Sequence, residues 1–100
     1  MSAPEPITLA EELMRKYVGV IPHVHELGMT VIHAARGMAI MKLPYQDRLI
    51  GNPETGVIHG GVVTTLIDTV CGLASITAPE EPSRVATLDL RIDYLRPATP

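Results

Sequence analysis

The stretch GGVVTTLIDTVCGLASIT, residues 60–77, constrains this chain more than any other. It is apolar on nearly every side, holds no proline and stops just before Pro79. That is too long for one strand and reads as a single helix from about Gly60 to Thr77, buried on several sides. A chain of 100 residues can bury only roughly 65% of its unfolded surface. At that size, covering such a helix takes a sheet wrapped around it. The run is near membrane-spanning length, but its acid, four threonines and three glycines argue against a span. That acid, Asp68, stands alone in the middle of the helix. An ionised carboxylate is expensive to take out of water unless something compensates it, so Asp68 is the first candidate for chemistry.

The remaining elements follow from periodicity. Leu9, Leu13, Met14 and Tyr17 or Val18 recur at helical spacing behind a Thr8–Glu11 capping box, predicting a short amphipathic helix over about 9–18. IPHVHELG reads as a connection. MTVIHAARGMAIMKLP reads as two strands turning at Arg36–Gly37, and YQDRLIGNPETG as a loop. In RVATLDLRIDYLRP, residues 84–97, Ala86, Leu88, Leu90, Ile92 and Tyr94 alternate with Thr87, Asp89, Arg91 and Asp93. That pattern predicts a half-buried antiparallel strand. Helix, strand, strand, buried helix and strand make an α+β fold.

Composition narrows the function. The chain is 46% hydrophobic with no Trp or Phe and three Tyr, so its core is aliphatic and Met-rich. So few aromatics, with a net charge of −3, exclude a base-stacking or phosphate-tracking nucleic-acid surface. One cysteine, Cys71, leaves no internal disulfide and fits a reducing compartment. In its apolar helix it reads as a small buried hydrophobe. The start MSAPEPITLAEELMRKY lacks a signal-peptide pattern, so a soluble, cytoplasmic protein without membrane contact is expected. His23 and His25 form an H-x-H pair with no further ligand cluster, and no metal is expected.

His59 and Asp68 are nine residues apart. On a helix that is a turn of about 900° and a rise of about 13.5 Å, so the two face opposite ways. If they cooperate, each subunit gives its helix start to one site and its acid to another, across a two-fold axis. The Gly60 and Gly61 amides at the helix start are unpaired donors at the positive end of its dipole. They suit a carbonyl oxygen becoming an oxyanion. An opposing carboxylate could attack that carbonyl or activate a water. Together these parts suit acyl transfer to water.

NPETGVIHGGVVTTLIDTVCGLAS followed by VATLDLRIDYLRPA resembles the hotdog-fold acyl-CoA thioesterases, in the branch acting on phenylacetyl- and hydroxybenzoyl-type CoA thioesters. The resemblance covers residues 26–100 and leaves 1–25 as a lead-in with a short helix. It implies an antiparallel sheet wrapped around the long helix, with further strands after the R-P-A segment that this chain, stopping at Pro100, lacks. It implies a homodimer or dimer of dimers and no cofactor beyond the CoA of the substrate. By position, Gly60 would polarise the thioester carbonyl and His59 would shape the helix start. Asp68 of the partner subunit would be nucleophile or general base, and Asn52 would lie near the attacking water. Some members place a hydroxyl beside the acid; Gly72 occupies the next turn here, so Thr87 is the candidate. Gly61 and Arg84 are candidates for substrate binding, Arg84 through the CoA phosphates. A non-catalytic acyl-CoA-binding module is the alternative. An enoyl-CoA hydratase of this fold would need a closely spaced Asp–His motif that is not found.

Overall fold

The computed structural model describes residues 9–81 and 83–100; the expected Thr8 cap and the lead-in before it fall outside them. Helix α1 (Leu9–Val20) forms as the spacing predicts and buries Met14 completely. Residues 22–27, read as a connection, instead form a second helix, α2 (Pro22–Leu27). Pro22 lies in its first turn, where the missing N–H costs no helical bond and the fixed φ favours helix. Gly28 ends it at φ 77°, donating to the His25 carbonyl at 3.0 Å.

Strands β1 (Thr30–Ala35) and β2 (Met38–Lys42) pair antiparallel around Arg36–Gly37, with Gly37 at φ 72°. The register slips between Val31 and His33. That bulge explains why the two inward residues, Val31 and Ala34, stand three apart rather than two. The hairpin lies between α1 and the long helix α3 (Gly60–Thr77), with β1 against α1 and β2 against α3. Met14, Val31, Ala34 and Leu73 form the shared core, with Tyr17, Val18, Ala39 and Met41 packed on it.

The bounds of α3 match the sequence reading. Its C-terminal end is tied to the hairpin turn: Gly37 N–H donates to Thr77 Oγ1 at 3.1 Å, and Arg36 Nε to the Ala78 carbonyl at 3.0 Å. A cation at the negative end of the helix dipole adds to that hold. Among the described residues α3 is the one helix long and apolar enough to cross a membrane; only Leu73, Ile76 and Thr77, in its last two turns, are buried, so the expected burial on several sides is not seen in the single chain. Cys71, expected to be buried, is exposed. It lies two residues from Leu73, about 200° around the helix, on the side away from the hairpin core.

The segment read as a loop contains a 3-10 turn (Asp47–Leu49) and a small antiparallel pair, β3 (Ile50–Asn52) with β4 (Val57–Ile58). This pair delivers the chain to the start of α3. A Cβ on Gly51 would fall 2.8 Å from His59 Cα, so only glycine permits that approach.

Residues 84–97 differ most from expectation. They form no strand, and Leu88 and Leu95 are fully at the surface. A strand needs ladder partners and something against its apolar face, and among the described residues no strand pairs with this segment. It runs antiparallel along α3 instead. Ser83 N–H reaches the Ile76 carbonyl at 3.3 Å, Tyr94 reaches Gly60, and Ile58 N–H bonds the Ala98 carbonyl at 3.0 Å.

Candidate active site

At the start of α3 the His59 imidazole is the cap: its Nδ1 accepts the Gly61 N–H at 2.9 Å, so of the two amides expected to be unpaired, that of Gly61 is engaged. Nδ1 is therefore unprotonated, and the neutral ring carries its proton on Nε2. The Val62 N–H turns back to the His59 carbonyl at 3.0 Å. With those two amides engaged, the Gly60 N–H has no acceptor among the described residues, and it stands at the positive end of the dipole.

Tyr94 locks this turn from outside. Its hydroxyl lies 3.0 Å from the Gly60 carbonyl and 2.6 Å from Thr64 Oγ1, which itself reaches the same carbonyl at 3.0 Å. The alternation of residues 84–97 puts Tyr94 on an apolar face. Its phenol head is the signal in the sequence that a polar partner is needed.

Two turns further on, Thr87 Oγ1 donates to Asp68 Oδ1 at 2.6 Å, a distance typical of a hydroxyl on a carboxylate. Thr87 thus stands beside the acid, as the resemblance implies. Asp68 is half-buried rather than sealed, because it lines a groove of about 590 Å³ between α1–α2, α3 and residues 85–90. The groove answers the desolvation problem: the carboxylate keeps an open side and gains a hydroxyl donor. His23, weighed above only as half of a metal-binding pair, also lines the groove, its Nε2 3.3 Å from Thr65 Oγ1. Thr65 has one proton and gives it to the Gly61 carbonyl at 3.0 Å, so His23 Nε2 is the donor to Thr65.

Gly60 does not line this groove. It borders a separate hollow of about 350 Å³ with Val63, Tyr94 and Pro97. Within one chain the helix start and the acid open to different spaces. Asn52 closes the β3–β4 turn: its Oδ1 accepts the Glu54 N–H at 3.0 Å and its carbonyl the Gly56 N–H at 2.8 Å. Arg84 borders a small hollow with Tyr17, Ile76 and Val85, at the opposite end of α3 from Gly60.

Residues 55–100 match the family model described as "Thioesterase superfamily". A solved structure described as from the thioesterase superfamily superposes with a TM-score of 0.82 at 32% identity, covering 93% of this chain and 69% of that one. The chain belongs to the thioesterase superfamily. With membership comes the hotdog fold, an antiparallel sheet wrapped around a long helix, of which the β1–β2 hairpin on α3 is a part. A Pseudomonas aeruginosa protein of known structure is 43% identical, covering 91% of this chain and 67% of that one, with a TM-score of 0.76. A putative esterase of Halobacterium salinarum is 40% identical over 92 residues, 89% of this chain and 61% of the relative. The medium/long-chain acyl-CoA thioesterase YigI of Escherichia coli is 29% identical, over 97% of this chain and 69% of its own length. The chain spans about three-fifths of the length of the Halobacterium salinarum esterase and of a putative esterase of Saccharolobus solfataricus, at 61% and 62%. In this thioesterase-superfamily chain the matched residues 55–100 include His59, Gly60, Asp68, Thr87 and Tyr94.

Proposed function

We propose that this protein hydrolyses acyl-CoA thioesters to the free acid and CoA. The observation that carries the reading is Asp68: a carboxylate in the middle of an apolar helix, open to a groove and held by Thr87, in a chain of the thioesterase superfamily. The name of the Escherichia coli relative supports the substrate class.

In this reading the Gly60 N–H polarises the thioester carbonyl, and His59 holds the helix start that presents it. Asp68 of the partner subunit completes the site. As general base it takes a proton from water while the water oxygen attacks the carbonyl carbon. The C–S bond then breaks, and the proton passes to the departing sulfur. As nucleophile it attacks the carbonyl itself, expels CoA and forms an anhydride that water cleaves. Asn52 uses Oδ1 in its own turn, which leaves its amide N–H groups to hold the water. Gly61 lets the substrate approach the backbone.

Mixing the purified protein with acyl-CoAs and following free thiol tests this directly. Thiol release is expected. Binding without release would turn the reading to an acyl-CoA-binding module. A variant at Gly61 probes the helix start alone. A Cβ added at Gly61 would fall 2.9 Å from His59 Nδ1 and 3.1 Å from Cε1, forcing the imidazole out of its cap. Alanine favours helix over glycine, so Gly61→Ala is expected to stay folded by circular dichroism. Its kcat/KM is expected to fall on the order of 10²-fold, the scale of a small misplacement in a site.

A further inference from the structure

Gly72 lies in the interior of α3, where glycine is the worst residue after proline. A helical glycine is normally retained because a neighbour comes too close for a side chain. Among the described residues that reason fails: a Cβ built on Gly72 meets nothing within 4 Å. Its φ is not positive, so conformation does not require glycine either. What Gly72 does border is the Asp68 groove.

Asp68, Gly72 and Ile76 stand at successive turns along one side of α3, spanning about 12 Å from acid to Ile76. Past Asp68, on the Gly72 side, the groove is bordered by the apolar side chains of Leu73, Ile76, Val85 and Tyr17. Missing side-chain volume at the middle turn keeps this trough continuous with the acid. From these observations we infer that the groove past Gly72 receives a straight aliphatic acyl chain, and that Gly72 sets how long a chain can pass. The inference rests on the thioesterase reading. Its substrate class is a medium-length or longer linear acyl-CoA, in contrast to the aromatic acyl groups implied by the resemblance.

The test compares wild type, Gly72→Ala and Gly72→Leu on acetyl-, octanoyl-, palmitoyl- and phenylacetyl-CoA by thiol release. Wild type is expected to prefer the linear long chains over phenylacetyl. In Gly72→Leu the ratio of kcat/KM for octanoyl- over acetyl-CoA is expected to fall at least about tenfold, the scale of a few methylenes excluded from an apolar pocket. A uniform loss across all substrates, or an unchanged ratio, would overturn the inference. Gly72→Ala guards against misfolding. It is expected to raise Tm while shifting the ratio in the same direction but less; a lowered Tm would show that packing retains the glycine and would also overturn it. Affinities for the non-hydrolysable thioethers S-ethyl-CoA and S-octyl-CoA separate the two levels. If wild type releases no thiol yet prefers S-octyl-CoA, and Gly72→Leu abolishes that preference, the groove stands and hydrolysis falls. If wild type releases thiol but neither protein discriminates by chain length, hydrolysis stands and the groove falls.

Discussion

Replacing Asp68 by alanine is expected to reduce acyl-CoA hydrolysis by about 10²- to 10⁴-fold, the range for a lost general base, while leaving the fold intact. The second half of that statement has its own physical basis. Asp68 is half-buried, and it accepts a hydrogen bond from the Thr87 hydroxyl, itself on an exposed segment. Removing the carboxylate frees that hydroxyl to water rather than stranding it in a core, and alanine is a better helix former than aspartate. Thermal unfolding of Asp68→Ala is therefore expected at or slightly above the wild-type temperature, with turnover gone. Asp68→Asn keeps the shape and an acceptor for Thr87 but loses the charge, and is expected to fail equally. Wild-type rates in both variants would remove the assignment. Thr87→Val deletes only the hydroxyl and is expected to cost less, on the order of 10- to 10²-fold, since a hydrogen bond to a charged group contributes about 1.5–3 kcal/mol.

The parts of this site differ in how plainly the sequence announces them, and the difference is physical. Helix α3 is bounded by features acting over a few residues: the glycine pair that opens it and the proline beyond its end. The Arg36–Gly37 turn is equally local, requiring one positive φ. By contrast, α2 is hidden because a proline in a first turn looks, in sequence, like one that breaks a helix. Residues 84–97 show the limit of periodicity. Alternation reports what a segment can be buried against, whereas a ladder depends on a neighbour elsewhere, and no such neighbour is found among the described residues. Tyr94 shows a related limit: alternation assigns a face, while its hydroxyl reaches the Gly60 carbonyl and Thr64 at the start of α3. The Thr87–Asp68 contact comes from the family resemblance, since no spacing rule joins residues on a helix and a distant segment.

Whether the two halves of the chemistry meet across subunits can be decided by mixing inactive variants. Proline at position 60 removes the N–H proposed to polarise the carbonyl, at the one helical position where proline is favoured. The surroundings allow it. A Cβ there meets Tyr94 no closer than 3.5 Å, an ordinary contact, and His59 at φ −56° and ψ 132° already has the backbone that precedes proline comfortably. Gly60→Pro is expected to fold and to lose about 10²- to 10³-fold in turnover, the effect of one missing oxyanion donor. Asp68→Ala protomers retain the helix start, and Gly60→Pro protomers retain the acid. In a mixed dimer with shared sites, one site is doubly damaged and the other receives both intact parts. Equal co-assembly gives half mixed dimers, each with one working site of two, so activity returns to roughly a quarter of wild type. Sites complete within one subunit would gain nothing from mixing, because every chain in the mixture lacks one of the two groups.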